Sequence, residues 1–249
     1  MAQGYYLYGV VEASARKSWG AFGLERQKVG AIAFREIAAV VNPWASQVVL
    51  ATPENCLVHE RVLNDVIKTE TILPFEFGTI APDIEAVNKL LRVNHSRFRR
   101  ALVKLKGTVE VNVTALWHDM KAIFEEVLKA HPIIATYKHE IMSKRYEQTY
   151  QDRLRIGLLV AEALETKRRL EGEKLYSVLK RNTVGARQIH MGNPSGDSVI
   201  FTGAFLVRRR AYPDFERSLL ELVRQDSRVD FKYTDALPPY HFVDLKVVV

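Results

Sequence analysis

The chain has 249 residues, 47% hydrophobic and 26% charged, so it is long enough for one large domain or two ordinary ones and does not resemble a disordered protein. Its apolar runs are far shorter than the ~20 residues of a membrane-spanning helix, and its first residues show no export signal. Cys56 is the only cysteine, which excludes an internal disulfide framework and a thiolate metal cluster and favours a reducing, cytoplasmic compartment.

The formal net charge is +7, and a basic surplus raises the possibility of an anionic partner such as nucleic acid. The densest cationic stretch lies between Arg92 and Lys106. Its apolar residues fall on one helical stripe, formed by Ile84, Val87, Leu91, Phe98, Leu102 and Leu105. This pattern favours a core-facing helix with a solvated basic back over a phosphate-binding face.

The first part of the chain predicts short strands followed by two helices. Aromatic and β-branched residues or extended patterns place strands at 5–11, 29–34, 37–41 and 71–77. The second and third of these form a hairpin around Arg35 and Glu36. Pro53 begins one helix, and Pro82-Asp83 begins the basic helix, which Gly107 ends.

The second part opens with a strand at 109–117, in which apolar residues alternate with an outward face of Glu110, Asn112 and Thr114. A short helix at 121–129, a break at Pro132 and a long helix at 137–179 follow. The inward stripe predicted for the long helix consists of Met142, Tyr146, Tyr150, Leu154, Leu158, Ala161 and Leu164.

The remaining pattern contains the strongest turn of the sequence, at 193–197, and then a strand at 199–208 that is apolar on both faces. A helix at 213–225 directs Phe215, Leu219, Leu222 and Val223 inward, and strands at 228–234 and 241–249 follow. We predict an α+β protein with an N-terminal α+β domain at 1–106. The C-terminal domain, 107–249, is predicted to be a modified ferredoxin-like sandwich with a long helix, whose last strand could instead pack on the N-terminal domain.

No motif indicates catalysis, a cofactor or a metal. None of the seven histidines has the spacing of a zinc-binding helix, and His59-Glu60 and His139-Glu140 each lack the second histidine of that motif. Nucleophile-elbow, phosphate-loop and dinucleotide signatures are absent. We therefore predict no catalytic residues, no cofactor and no metal, and a protein that is not an enzyme.

An RNA-recognition module is the alternative hypothesis, because such modules place stacking aromatic rings on a ferredoxin-like sheet. The strand 201–207 carries Phe201, Gly203 and Phe205, but it lacks the aromatic residue after the glycine and the preceding basic residue. Phe201 and Phe205 share a face with Val199 and Val207, which favours a covered core over an exposed stacking surface.

Three segments are more specific than these motifs. The first runs from 57 to 79 and contains His59, Glu60, Pro74, Phe77 and Gly78. The second is 203–207, with Phe205. The third is 237–243, with Pro238, Pro239, Tyr240 and Phe242. Together with the opening strand, they resemble the gas vesicle protein F/L family over nearly the whole chain, and most closely its F-type members in cyanobacteria.

The resemblance implies a minor component or assembly factor of gas vesicles, cytoplasmic and associated with the vesicles. It implies that the partner is the hydrophobic major shell protein, with other gas vesicle proteins as further partners, and that the chain limits shell-protein aggregation. No nucleic acid or lipid membrane is expected as a partner. The motif residues named above are candidates for partner binding, although each also suits a structural role.

Overall fold

The computed structural model describes residues 4–13, 18–142, 149–191 and 198–244. The chain divides into two compact units, one comprising 1–110 and 235–249 and the other 111–234. The C-terminal segment thus belongs to the same unit as the N-terminus. Each unit has its own sheet, and the two are described in turn.

The first unit contains one antiparallel sheet of six strands and two helices. Its strands are β1 (Gly4–Glu12), β2 (Ser18–Phe22), β3 (Lys28–Phe34), β4 (Ile37–Trp44), β5 (Ile72–Pro74) and β6 (Ile80–Ala81), and its helices are α1 (Pro53–Ile67) and α2 (Ile84–Leu105). The sheet order is β2-β3-β4-β1-β5, and β6 also pairs with β1. The aromatic and β-branched β1 is therefore central, which explains why it is almost entirely buried.

Local sequence fixes both helix starts of this unit. Thr52 accepts a hydrogen bond from the Asn55 amide with Pro53 in the first turn of α1, and Asp83 accepts one from the Ala86 amide at the start of α2. The predicted stripe of α2 is buried from Val87 to Leu105, whereas Ile84 in the first turn is 48% exposed. Periodicity predicts which face of the helix is apolar, but it does not predict that the core ends before the first turn.

The second unit contains a four-stranded sheet. Its strands are β7 (Thr108–Trp117, which begins in the first unit), β8 (Gly185–Met191), β9 (Val199–Arg208) and β10 (Val229–Tyr233), and its helices are α3 (Met120–Ala130), α4 (Pro132–Met142), α5 (Tyr150–Lys180) and α6 (Tyr212–Gln225). The sheet order is β10-β7-β9-β8. Numbered in chain order, this is 4-1-3-2, the order of a ferredoxin-like sheet. The prediction of an α+β fold with a modified ferredoxin-like part is confirmed.

Several predicted elements differ from the observed ones. The single helix predicted over 137–179 is two helices, because α4 ends at Met142 and Thr149, just before α5, has non-helical torsion angles. Strand β8 was not predicted, since it is a largely exposed edge strand with little regular alternation. Residues 241–244 form no strand, and 240–242 form a 3₁₀ turn instead. Residues 245–249 and the whole predicted turn at 193–197 lie outside the described residues.

Two predicted faces are also wrong. Glu110, expected to point into solvent, is fully buried. Tyr150, Leu154 and Leu158, expected to face the core, are 75%, 57% and 65% exposed. On α6, Val223 is 40% exposed although Phe215, Leu219 and Leu222 are buried. Glu110 is thus a buried carboxylate of the first unit. Tyr150, Leu154 and Leu158 form an uncovered apolar helix face in the second unit.

Candidate functional site

A chain of hydrogen bonds in the first unit connects β1, α1 and the loop after β5. The Tyr6 hydroxyl lies 2.8 Å from His59 Nδ1 and accepts a hydrogen bond from the Gly78 amide at 3.2 Å. The His59 ring also forms a hydrogen bond with the Phe75 backbone. Phe77 packs against both rings, 6.1 Å from Tyr6 and 5.7 Å from His59. Tyr6 thus contacts three residues of the first motif segment, namely His59, Phe77 and Gly78.

Burial determines the charge state of this network. Desolvation lowers the pKa of His59 to about 4, and desolvation raises the pKa of Tyr6 to about 12. Both side chains are therefore neutral near pH 7. A neutral imidazole has one donor and one acceptor nitrogen, which suits Tyr6 as hydroxyl donor and the Phe75 carbonyl as acceptor. His59 acts here as a positioning group for the 75–78 loop.

Gly78 has a φ of +89°, a conformation that side chains disfavour. The amide of this residue donates to Tyr6, so the turn is held at the same point where it requires glycine. The positive φ and this hydrogen bond give Gly78 a structural role in the turn. Pro74 is buried in β5, opposite Gly9 of β1.

A second frame holds the loop between β2 and β3. The Tyr8 hydroxyl donates to Asn42 Oδ1 at 2.6 Å and accepts a hydrogen bond from the Leu24 amide at 3.0 Å. Gly23 lies directly against this pair, since a Cβ atom there would be 2.3 Å from the Tyr8 hydroxyl and 2.4 Å from Asn42 Oδ1. The loop is therefore fixed against the sheet by buried side chains.

Beyond this frame, the loop and α1 enclose an open groove of about 860 Å³. Its apolar lining comprises Phe22, Leu24 and Val58, and its charged rim comprises Glu25, Arg26, Glu54 and Arg61. Phe22 is 60% exposed. We call these residues the α1 groove. An exposed aromatic side chain with an apolar floor and a charged rim is typical of protein-binding surfaces.

Two consecutive rim residues have left-handed backbone torsions, with φ of 52° at Glu25 and 55° at Arg26. Such a conformation costs non-glycine residues roughly 1–3 kcal/mol each and persists only where surrounding contacts impose it. The Gly23 amide bonds to the Gln27 carbonyl at 2.8 Å and closes the turn that contains them. The groove wall is thus held in one shape.

The third motif segment is anchored on Glu110. The Glu110 backbone exchanges two hydrogen bonds with the Leu237 backbone, at 2.9 and 2.8 Å. Its carboxylate accepts from the His241 amide at 2.8 Å and lies 2.6 Å from His241 Nδ1. Pro238 and Pro239 are buried between these two attachments, and Phe242 is half-buried with its amide bonded to the Pro239 carbonyl. The segment is a strap held at both ends by one residue.

Tyr240 connects this strap with the first motif. It is 36% exposed, and its pKa is raised by burial and then by the negative charges of Glu60 and Glu110. Tyr6 contributes to the same shift. Glu60 and Tyr240, exposed members of two distant motifs, therefore lie within electrostatic reach of each other in one unit.

The structure brings together His59, Glu60, Phe77, Gly78 and Tyr240. Phe205 is not part of this cluster, because it lies fully buried in the second unit, 5.6 Å from Phe215. The residues that sequence reasoning missed are Tyr6, Tyr8, Asn42 and Glu110. Tyr6 and Tyr8 are two residues apart in the opening strand, so they lie on one face of β1. This spacing is the sequence feature that could have identified them as a pair.

The features that suggested other functions have local explanations. Phe201 and Phe205 are 0% exposed and pack near Tyr176, at 6.0 and 5.4 Å, so these two rings present no face to a nucleic acid base. Among the described residues, no group of three histidine, cysteine or acidic residues could hold a metal ion. Within the same residues, no helix has the length and apolar character required to cross a membrane.

The fold is that of an α+β protein of two compact units, and sequence comparison gives its family. Residues 4–244 match the family described as gas vesicle synthesis protein GvpL/GvpF. The chain belongs to this family. That description names a role in gas vesicle synthesis and no reaction. The predicted family resemblance, made from three short segments, is confirmed.

Two relatives and one solved structure are similar to this chain over nearly its whole length. Gas vesicle protein F of Dolichospermum flosaquae is 23% identical over 245 residues, covering 96% of this chain and 97% of the relative. Gas vesicle protein F of a Streptomyces species is 25% identical over 242 residues, covering 96% of this chain and 99% of the relative. The crystal structure of GvpF from Anabaena sp. PCC7120 superimposes with a TM-score of 0.87 at 22% identity, covering 98% of this chain and all of that one, which shows a shared fold.

Proposed function

We propose that this chain acts in gas vesicle assembly by binding the hydrophobic major shell protein through the α1 groove and limiting its aggregation. The observation that carries the proposal is the exposed Phe22 above an apolar floor of Leu24 and Val58. A shell subunit with unpaired apolar surface associates with itself unless another surface covers that area. A fixed apolar groove with a charged rim supplies such a surface.

The buried hydrogen-bond frames support this role indirectly. Tyr8 and Asn42 hold the loop that forms one wall of the groove, and His59 belongs to α1, which forms the other. Because a surface fixed before binding loses less conformational entropy on association, this arrangement favours affinity. The motif residues His59, Phe77 and Gly78 then contribute by holding the binding surface in shape.

The partner is tested by mixing the purified chain with the major shell protein and measuring co-precipitation and light scattering. Phe22→Ser removes the exposed ring from the groove and is expected to weaken binding at least about tenfold, the effect of losing an aromatic contact centre. Val93→Ser is the matched control, since Val93 is 71% exposed on α2 of the same unit. Equal binding by both variants would place the contact elsewhere, and no binding by the unmodified chain would overturn the proposal.

The cellular role is tested in a deletion strain. We expect vesicle formation to fail without the chain, to return with the unmodified chain and to return poorly with Phe22→Ser. The proposal also places the protein in the cytoplasm in association with vesicles, which flotation of vesicles followed by immunodetection checks. Normal vesicles in the deletion strain would contradict an assembly role.

A further inference from the structure

The outward face of α5 in the second unit carries an apolar stripe. Tyr150, Leu154 and Leu158 are 75%, 57% and 65% exposed, and Gly157 and Ala161 are exposed between and beyond them. Their spacings of three and four residues place all five on one side of the helix. We call these five residues the α5 stripe. Ile156, Leu159 and Val160 on the other side pack against the core, so α5 is apolar on two faces and buries only one.

Gly157 lies in the middle of the α5 stripe. A Cβ atom built there has no atom within 4 Å, so no close contact among the described residues accounts for glycine at this position. Glycine in a helix interior weakens the helix. It also lets another helix approach more closely, because the distance between packed helices depends on the side chains at their contact. A second helix packed across the stripe would account for glycine at this position.

The charges beside the stripe identify that second helix. Arg155 and Glu162 are exposed on the same flank of α5, where the Arg155 guanidinium also lies 5.8 Å from the ring centroid of Tyr137 in α4. They are seven residues apart, about 10 Å along the axis, too far to pair within one helix. An antiparallel copy of α5, centred between Gly157 and Leu158, places Arg155 within one turn of Glu162 of the partner subunit, and the two-fold axis repeats the pair. The same centre places Leu154 opposite Ala161 of the partner subunit.

We propose that the α5 stripe is the interface of a symmetric, antiparallel homodimer of this chain. A parallel two-fold arrangement would place the flank that carries Arg155 and Glu162 on opposite edges of the contact in the two subunits, where the two charges do not meet. Antiparallel pairing satisfies the apolar residues, the glycine and both flanking charges together. The inference concerns the second unit and is independent of the shell-protein binding proposed for the α1 groove.

Sedimentation velocity and light scattering over a wide concentration range test the proposal. We expect a monomer–dimer equilibrium for the full chain. Leu158→Lys introduces two cations near the two-fold axis and is expected to weaken dimerisation at least tenfold. Leu170→Lys is the matched control, because Leu170 is 56% exposed on the same helix outside the stripe, and it is expected to leave dimerisation unchanged. A monomer at every concentration, or equal loss in both variants, would overturn the proposal.

Charge reversal tests the orientation. Arg155→Glu and Glu162→Arg are each expected to weaken the dimer, and the double variant to restore it, because the pair then forms with reversed signs. Circular dichroism confirms that each variant folds. Failure of the double variant to recover, while all variants remain folded, would overturn the antiparallel pairing. Retained shell-protein binding by monomeric variants would separate this interface from the α1 groove.

Discussion

At the scale of single residues, the first unit places uncharged polar groups where burial would penalise charge. Tyr6, Tyr8 and His59 form contacts through ring centroids 4.9–5.7 Å apart, and each has a hydrogen-bond partner. Partners matter because an unpaired polar atom in such surroundings costs more than a formed bond contributes. Removing one hydroxyl should therefore disturb two neighbours rather than one.

Replacing Tyr6 with Phe is expected to lower the free energy of unfolding by about 2 kcal/mol, because it leaves both His59 Nδ1 and the Gly78 amide without their partner. Urea denaturation at pH 7.5 measures the change. Tyr5→Phe is the control, since Tyr5 is half-buried on the adjacent position of the same strand. A change at Tyr6 no larger than that at Tyr5 would show that the hydroxyl stabilises nothing.

The lowered pKa of His59 also predicts a pH dependence. The unfolded chain binds a proton at this side chain near its ordinary pKa of 6.5, whereas the folded chain does so only near about 4. Stability is therefore fully present above pH 6.5 and is lost as the pH falls toward 4, by roughly 3 kcal/mol for this group alone.

Urea denaturation at pH 7.5 and pH 4.5 measures this loss, with His59→Asn as the comparison because its side chain does not titrate. We expect the difference between the two pH values to be smaller in His59→Asn than in the unmodified chain. His131→Asn, at an exposed histidine, should leave the difference unchanged. The explanation fails if His59→Asn and the unmodified chain lose the same stability on acidification.

At the scale of elements, one buried carboxylate holds the C-terminal strap. Glu110 is 0% exposed and forms contacts with both the amide and the ring of His241, which lies 131 residues later in the chain. A buried carboxylate is tolerated when hydrogen bonds satisfy it. The strap in turn places Tyr240 near Glu60, so an effect at Glu110 should be detectable along the segment 237–242.

Glu110→Ala is expected to destabilise the chain by about 2–3 kcal/mol and to accelerate hydrogen exchange at the His241 amide, which loses its acceptor. Glu110→Gln retains an acceptor oxygen of nearly the same shape and should show a smaller loss of both. Exchange monitored by mass spectrometry over peptides covering 237–242 distinguishes them. Equal exchange in all three proteins would show that the carboxylate does not hold the strap.

The same elements show what the sequence predicts and where it fails. Strand β9 has the predicted bounds, and α1 begins at Pro53 as predicted, because local patterns and caps determine both. Alternation predicts that Glu110 faces solvent, because a local pattern cannot reveal a partner so far along the chain. Periodicity places Leu154 and Leu158 on an apolar face of the helix without showing what covers that face.

The candidate site was predicted in part for the same reason. His59, Phe77 and Gly78 were found through family resemblance, but their connection through Tyr6 depends on a contact across 53 and 72 residues. Phe205 belongs to a matching segment and is a core residue of the second unit. A matching segment therefore does not separate residues of the fold from residues of a surface.

At the scale of the whole molecule, the chain forms two compact units and the last segment belongs to the first. Each unit contains a buried tryptophan, Trp44 in the first and Trp117 in the second, 7% and 2% exposed. Fluorescence can therefore follow each unit separately in variants that retain only one of the two and have Trp19 replaced by Phe. The effect of the segment 235–249 on the free energy of unfolding can then be measured for each unit.

Truncation after Thr234 removes Leu237 and His241, the hydrogen-bond partners of Glu110, and leaves its buried carboxylate without them. We expect the Trp44 transition in urea to lose at least about 2 kcal/mol, the cost of unpaired buried polar groups. The Trp117 transition should remain within about 0.5 kcal/mol, as expected for a change away from that core. Equal losses at both tryptophans would show that the units unfold together, and no loss at Trp44 would show that the strap does not stabilise the first unit.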